Sequence, residues 1–107
     1  MSLTHAVQRQ GFLIVREALT NAHRHAKATA VRVAVYAQPD GICLEVEDNG
    51  SGFDMTQELQ GTHLGLQIMQ ARAAQCRGTF DIWSQPGRGT RVTAVLPRET
   101  VPSPNHG

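Results

Sequence analysis

Residues 42–53 read ICLEVEDNGSGF, and the pattern in this segment is the basis for predicting the fold. Its aliphatic side chains alternate with other residues at Ile42, Leu44 and Val46, which predicts a strand with one apolar face. Counting onward by two reaches Asp48, so a carboxylate falls on that same apolar face. A carboxylate at the rim of an apolar pocket can accept a charge-assisted hydrogen bond from an exocyclic amine, worth about 1.5 to 3 kcal/mol. Asp48 is therefore a candidate ligand-binding residue.

The segment around Asp48 has an alternative interpretation as a hairpin turn made by Asp48, Asn49 and Gly50. A turn of that kind is followed at once by a partner strand, whereas a polar, glycine-containing stretch follows here and continues to residue 62. Loops of such length in a small domain are usually functional or mobile. The pattern therefore favours a strand that ends at Asp48, followed by a functional loop over residues 49–62.

The remaining periodicity predicts two helices and further strands around this one. Apolar residues recur at helical spacing over residues 5–27 and again over residues 63–75, where Gly78 would cap the second helix. Alternation of period two predicts four strands in all, at residues 30–36, 42–48, 79–83 and 91–96. The order α-β-β-loop-α-β-β predicts an α+β fold, a two-layer sandwich with a mostly antiparallel sheet covered by helices on one face.

The first two strands are predicted to form a hairpin. The turn between them is QPDG, residues 38–41, in which proline fixes φ and glycine tolerates a positive φ. On the first strand, Val31, Val33 and Val35 fall on one face, so this strand is expected to be half-buried.

Length and composition limit the possible classes of protein. A chain of 107 residues with two cysteines fits one domain without a disulfide framework, in a reduced cytosolic setting. A net charge of +1 without a basic cluster disfavours a nucleic-acid partner, and no apolar run approaches the roughly 18 residues of a membrane span. We expect residues 5–98 to form the domain, residues 1–4 to be a leader and residues 99–107 to be a flexible tail.

The first predicted helix carries a polar stripe made of Glu17, Asn21 and Arg24. Their spacing of i, i+4 and i+7 places all three on one side of the helix over roughly 10 Å. The stripe is either a solvated helix face or a site for a metal-bound phosphate chain, in which an amide oxygen binds Mg²⁺, a carboxylate orients water and a cation faces phosphate. A glycine near the start of the second helix, at Gly65, would similarly suit an anion.

Four motifs together resemble the GHKL (Bergerat) ATP-binding fold, in the form typical of nitrate/nitrite-sensor-like sensor histidine kinases. The motifs occur in the order of that family, and the resemblance covers about residues 8–97. They are REALTNAHRHA at residues 16–26 (N box), EVEDNGSGF at 45–53 (G1 box), HLGLQIMQARA at 63–73 (G2 box) and GRGT at 87–90 (the last box).

This resemblance implies roles for the matching residues on the phosphate side of the site. Asn21 would be the Mg²⁺ ligand, and Glu17, one turn earlier, would act as a base or orient water. Arg24 occupies the basic position beside the phosphates. Gly65 and Leu66 would direct backbone N–H groups at the phosphates.

The resemblance also implies an adenine subsite and a lid. Asp48 would accept a hydrogen bond from the adenine amino group, next to Gly50 and Gly52 of the same box, with Gly52 leaving room for the base. Thr90 would help through its hydroxyl group or a water, and residues 53–62 would form the lid.

The function that the resemblance implies is that of the ATP-binding catalytic domain of a bacterial two-component sensor histidine kinase. Such a domain binds Mg²⁺-ATP and donates the γ-phosphoryl group to a histidine on a separate dimerisation domain of the same protein. The expected setting is cytoplasmic, in a homodimeric, membrane-anchored sensor that acts on a response regulator. Two alternatives remain: a stand-alone GHKL protein-serine kinase of the anti-sigma-factor type, and a nucleotide-binding module that has lost catalysis.

Overall fold

Helices and strands follow one another in the expected order in the structure, a computed structural model that describes residues 3–24, 27–54 and 64–98. The elements are α1 (His5–Arg24), β1 (Val31–Gln38), β2 (Gly41–Asp48), α2 (Leu64–Gln75), β3 (Thr79–Gln85) and β4 (Gly89–Pro97). The four strands form one sheet in the order β1-β2-β4-β3, and every pairing in it is antiparallel. The predicted α+β class and the β1–β2 hairpin are confirmed. No helix within the described residues is long and apolar enough to span a membrane.

Helix α1 has a side-chain cap and a continuous buried face. Thr4 Oγ1 accepts a hydrogen bond from the Val7 N–H at 3.1 Å, which satisfies one of the donors at the helix start. The buried positions recur every three or four residues: Val7, Gly11, Ile14, Ala18 and Ala22. Leu3 packs against the same core. Residues 1–4, expected to be a leader, thus include two residues that contribute to the fold, while the expected tail at 99–107 lies outside the described residues.

The C-terminal cap of helix α2 lies one residue earlier than predicted: the left-handed residue is Arg77 and not Gly78. The Gly78 N–H donates to the Ala73 carbonyl oxygen at 2.7 Å, and the Arg77 N–H donates to the Ala74 carbonyl oxygen at 3.0 Å. This is a Schellman arrangement, and its left-handed residue is Arg77, with φ 63°. The predicted cap at Gly78 is therefore displaced. Glycine is needed at position 78 because a Cβ there would lie 2.6 Å from the Val95 carbonyl oxygen.

The core lies between the two helices and one face of the sheet. Cross-strand pairing aligns the sheet's inward residues in rows across β2, β4 and β3. Two of these rows are apolar: Leu44, Ala94 and Phe80; Val46, Val92 and Ile82. Ile14 of α1 and Met69 of α2 are almost fully buried against them. Fully burying a side chain of the size of Ile14 or Met69 stabilises the fold by about 1.5 to 3 kcal/mol.

Strand β1 is more exposed than its alternation predicts. Val31, Val33 and Val35 do lie on the helix side of the sheet, since Val33 pairs with the buried Val46. All three are nevertheless exposed, and Val33 retains 44% of its accessible surface. The prediction of a half-buried strand was therefore wrong. Its physical reason is position: β1 is one of the two edge strands, and the helices pack mainly over β2, β4 and the other edge strand, β3.

Candidate functional site

A polar row crosses the sheet at the end of its apolar face. Asp48 pairs in register with Thr90, and Thr90 pairs with Ser84, so the three side chains stand side by side on β2, β4 and β3. Directly opposed residues in antiparallel strands have Cβ atoms about 4.5 to 5.5 Å apart. The next row inward is the apolar Val46, Val92 and Ile82. The sheet therefore offers an apolar floor with polar groups at one end.

A pocket opens over this floor. The helices and the segment after β2 supply its other walls, and its lining residues are Ala18, Asn21, Val46, Asp48, Gly52, Phe53, Leu66, Ile82, Thr90 and Val92. Among these side chains, Asp48 is the single carboxylate. A concave apolar pocket with a few convergent polar groups is the usual form of a small-molecule site.

The carboxylate of Asp48 is held by the turn that follows it. Asp48 Oδ1 accepts a hydrogen bond from the Gly50 N–H at 2.8 Å. The next residue, Asn49, ties that turn to the chain before β1: its Oδ1 accepts from the N–H groups of Thr29 and Ala30 at 3.0 and 2.9 Å. Asp48 is thus oriented by local backbone, and Asn49 is an anchoring residue that the sequence interpretation did not identify.

Ser84 joins three segments of the site. Its Oγ accepts a hydrogen bond from the Phe53 N–H at 2.9 Å, lies 2.9 Å from the Gly89 carbonyl oxygen and lies 2.9 Å from Thr90 Oγ1. Ser84 retains 3% of its accessible surface. A buried hydroxyl group with three partners holds its neighbours in fixed positions, because breaking any one of these contacts leaves a polar group unsatisfied.

The polar stripe of α1 meets the start of α2. A Cβ built on Gly65 would lie 2.8 Å from Glu17 Oε2, 2.8 Å from Asn21 Nδ2 and 3.0 Å from Asn21 Oδ1. Glycine therefore allows the first turn of α2 to approach the carboxylate and the amide of α1. Oxygen atoms from a carboxylate and an amide are the ligands that Mg²⁺ prefers, and helix starts favour anions, so this group of residues fits a metal-bound phosphate.

The structure brings together most of the residues predicted from the sequence. Five of them line the pocket: Asn21, Asp48, Gly52, Leu66 and Thr90. Glu17 and Gly65 stand beside Asn21 through the contacts above. Arg24 and Gly50 do not line the pocket: Arg24 is exposed at the end of α1, and Gly50 is buried in the turn that holds Asp48.

Gly52, expected to leave room for a ligand, also has a backbone reason, since its φ is 66° and a Cβ there would overlap the Gln85 carbonyl oxygen. Of the expected lid at residues 53–62, only Phe53 and Asp54 belong to the described residues. The remainder of that prediction therefore lies outside them.

Ser84 is the functional candidate that the sequence interpretation missed. The same counting by two that found Asp48 could have found it, because Phe80, Ile82 and Ser84 alternate along β3. The predicted strand ended at Trp83, two residues before the end of β3 at Gln85, and so left Ser84 out. Ser84 is a polar residue at the end of an apolar strand face, as Asp48 is on β2, so the alternation in the sequence could have identified it.

The fold and the site define a two-layer α+β domain with a ligand pocket between one end of the sheet and two helices. Over residues 6–100, the chain matches the family described as histidine kinase-, DNA gyrase B-, and HSP90-like ATPase. The match covers most of the chain, and the protein belongs to this family. The family expected from the four motifs is thereby confirmed at this level.

The chain is also similar to individual sensor proteins and histidine kinases. The chain is 38% identical over 86 residues to the sensor protein VraS of Staphylococcus haemolyticus, and the match covers 80% of this chain and 24% of VraS. The ATP-binding domain of PrrB from Mycobacterium tuberculosis superposes with a TM-score of 0.70 at 30% identity, covering 84% of this chain and 68% of that one. A blue-light activated histidine kinase from Erythrobacter litoralis shares the fold, with a TM-score of 0.75 at 22% identity over 90% of this chain and 32% of that one. The chain thus spans about a quarter of the length of VraS.

Proposed function

We propose that this chain is the ATP-binding catalytic domain of a sensor histidine kinase of the nitrate/nitrite-sensor-like subfamily. It binds Mg²⁺-ATP and donates the γ-phosphoryl group to a histidine on a separate dimerisation domain. The observation that carries this proposal is the position of Asp48, a carboxylate held by the Gly50 N–H at the polar end of an otherwise apolar pocket. Family membership and the VraS and PrrB relatives support it. The subfamily rests on the form of the N box at residues 16–26.

The base of the nucleotide occupies the pocket over the sheet. Val46, Val92 and Ile82 form a flat apolar floor of the kind on which a purine ring packs. Asp48 accepts a hydrogen bond from the exocyclic amine at the end of that floor, next to Thr90. Since a charge-assisted hydrogen bond is worth about 1.5 to 3 kcal/mol, this contact selects an amino-purine.

The phosphates lie toward the helix side of the pocket. Backbone N–H groups at Gly65 and Leu66, in the first turn of α2, face them, and Arg24 at the end of α1 adds positive charge. Asn21 holds Mg²⁺ through its side-chain oxygen; when bound, the ion neutralises phosphate charge. Glu17 orients the attacking group or accepts its proton. Positioning by these residues is the main catalytic contribution expected for phosphoryl transfer.

The wider setting is part of the same proposal. The acceptor histidine lies on a dimerisation domain of the full-length protein, which forms a homodimer and passes the phosphoryl group to a response regulator. The domain works in the cytoplasm as part of a membrane-anchored sensor. In this arrangement the 107-residue chain binds nucleotide but labels itself little or not at all with radiolabelled ATP, and strong self-labelling would contradict the separate acceptor.

Calorimetric titration with Mg²⁺-ADP tests the nucleotide site directly. Asp48→Asn is expected to weaken ADP binding by about 1.5 to 3 kcal/mol, the scale of a charge-assisted hydrogen bond. Asp40→Asn is the matched control, because Asp40 is exposed in the β1–β2 turn, away from the pocket. Failure of the unmodified chain to bind ADP would overturn the proposal. Equal affinity in Asp48→Asn and Asp40→Asn would remove Asp48 from the base subsite.

A further inference from the structure

We propose that Ser84 is a positioning residue that makes the Thr90 hydroxyl a hydrogen-bond acceptor toward the pocket and thereby sharpens selection of a 6-amino purine over a 6-oxo purine. The inference rests on the proposed nucleotide site. The partners of Ser84 determine the direction in which the Thr90 hydroxyl group donates. Neither the four motifs nor the relatives assign a role to this serine.

The partners of Ser84 leave one arrangement of protons. A serine hydroxyl can donate one hydrogen bond and accept two. The Phe53 N–H can only donate, so Ser84 Oγ accepts from it; the Gly89 carbonyl oxygen can only accept, so Ser84 donates its single proton there. The third contact, with Thr90 Oγ1 at 2.9 Å, must therefore be donated by Thr90. The Thr90 proton consequently points at Ser84 and away from the pocket.

Burial makes this arrangement difficult to reverse. Ser84 retains 3% of its accessible surface, so solvent does not readily replace a lost partner. If Thr90 turned its proton into the pocket, Ser84 would lose a donor; if Ser84 turned its own proton to Thr90, the Gly89 carbonyl would lose one. The first change removes one of the two hydrogen bonds that the buried Ser84 oxygen accepts, and the second removes the hydroxyl donor from the Gly89 carbonyl oxygen, so each costs a buried hydrogen bond.

The rim of the pocket therefore carries two adjacent hydrogen-bond acceptors, the Asp48 carboxylate and the Thr90 hydroxyl oxygen. Asp48 and Thr90 are register partners, and both line the pocket. A carboxylate and an acceptor hydroxyl side by side favour a ligand edge, or a bridging water, that donates to both. An amino group carries two protons and satisfies this requirement, whereas a carbonyl oxygen at the same place faces two acceptors and finds no donor. Rejection by unpaired polar groups gives strong discrimination between similar substrates.

The discriminating measurement is the ratio of the dissociation constants for inosine diphosphate and ADP, both as Mg²⁺ complexes, determined by calorimetry. Ser84→Ala frees the Thr90 hydroxyl to donate to a 6-oxo group, so the ratio should fall roughly three- to tenfold. Thr90→Val removes the hydroxyl that Ser84 orients. In the Thr90→Val background, adding Ser84→Ala should leave the ratio unchanged, because the group through which Ser84 acts is gone.

Three results contradict the inference or the proposal behind it. A ratio in Ser84→Ala within twofold of the original value, with ADP binding retained, would overturn the role of Ser84 while leaving the nucleotide site intact. A further change of the ratio upon adding Ser84→Ala to Thr90→Val would show that Ser84 acts by another route. Absence of ADP binding in the unmodified chain would overturn the proposed function itself. A merely structural role of Ser84 would weaken both nucleotides equally. If Ser84→Ala does not fold, Thr90→Val alone should lower the ratio, because it removes an acceptor that faces a 6-oxo group, and a raised ratio would show that Thr90 donates into the pocket.

Discussion

Gly65 and Asn21 approach so closely that a Cβ on Gly65 would stand 2.8 Å from the Asn21 side-chain nitrogen. The same Cβ would stand 2.8 Å from Glu17 Oε2. The start of α2 is therefore fitted directly to the polar stripe of α1. Two helices that are distant in sequence jointly form the side of the pocket assigned to phosphate and metal.

Gly65→Ala should weaken nucleotide binding while leaving the free energy of unfolding nearly unchanged. The atoms in the way are the ends of the Glu17 and Asn21 side chains, which can move, so the free energy of unfolding should change by less than about 1 kcal/mol. The displaced side chains should weaken Mg²⁺-ADP binding by about 1 to 3 kcal/mol. Calorimetry and urea denaturation check the two effects. Gln67→Ala, at an exposed position of the same helix, is the control, and equal affinities would argue against contact between this turn and the ligand.

Asn21→Ala should change the dependence of binding on Mg²⁺. Without the amide oxygen the ion loses a ligand, so the affinity for ADP should be nearly the same with Mg²⁺ as with EDTA, while Asp48 still recognises the base. The measurement is ADP affinity under both conditions. Gln8→Ala removes an exposed amide near the start of the same helix and should retain the Mg²⁺ effect. A full Mg²⁺ effect in Asn21→Ala would exclude Asn21 as the ligand.

Gly52→Ala should destabilise the domain more than Gly87→Ala. Both glycines have positive φ, at 66° and 80°, so alanine costs about 1 to 2 kcal/mol of backbone energy at either position. A Cβ at position 52 would also overlap the Gln85 carbonyl oxygen, whereas one at position 87 would meet nothing within 4 Å. Urea denaturation should therefore show a larger loss for Gly52→Ala. Equal losses would mean that the segment after β2 shifts freely away from the β3–β4 hairpin.

Substitution by threonine should destabilise the domain much more at Val46 than at its register partner Val33. Val46 retains 3% of its accessible surface and Val33 retains 44%. Burying a hydroxyl group without a partner costs about 1 to 3 kcal/mol, so Val46→Thr should lower the free energy of unfolding by that amount. Val33→Thr should change it by less than about 0.5 kcal/mol. A large loss in Val33→Thr would show that β1 is covered in solution.

The two thiols should react slowly at neutral pH. Burial raises the pKa of the Cys43 thiol, and a nearby Glu45 raises it further; burial also raises the pKa of the Cys76 thiol. A raised thiol pKa keeps the reactive thiolate scarce until the pH exceeds the ordinary value of about 8.5. Reaction of the single variants Cys43→Ser and Cys76→Ser with a disulfide reagent should therefore reach half of its maximal rate at a higher pH than in the urea-unfolded chain. A half-maximal rate at the same pH as in the urea-unfolded chain would contradict the raised pKa values.

Periodicity within one strand or helix predicted correctly where the elements lie and which side chains share a face. Alternation through Ile42, Leu44 and Val46 placed Asp48 on the inner face, and the pocket lining agrees. The same rule failed for β1, because alternation reports which side chains share a face and does not report whether a helix covers that face. Val33 lies on the helix side and is still exposed.

Relationships between distant residues were beyond the sequence patterns. Helical spacing grouped Glu17 with Asn21, yet only the packing of α2 against α1 showed why position 65 must be glycine. Ser84 was overlooked because its importance comes from partners 31 residues earlier, at Phe53, and six residues later, at Thr90. Hydrogen-bond partners of this kind are set by strand pairing, which propensity and periodicity do not encode.

Sequence patterns alone establish the α+β class, the order of elements, the inward direction of Asp48 and the motifs that mark the family. These properties are local, since they depend on side-chain periodicity and turn chemistry within a few residues. The tertiary structure decided the strand order β1-β2-β4-β3, which places β4 between β2 and β3 and so aligns Asp48, Thr90 and Ser84 in one row. The same order leaves β1 at the edge. Burial and hydrogen-bond direction depend on which strands become neighbours. The order of the strands is set by the free energy of the whole packed domain and not by any single segment.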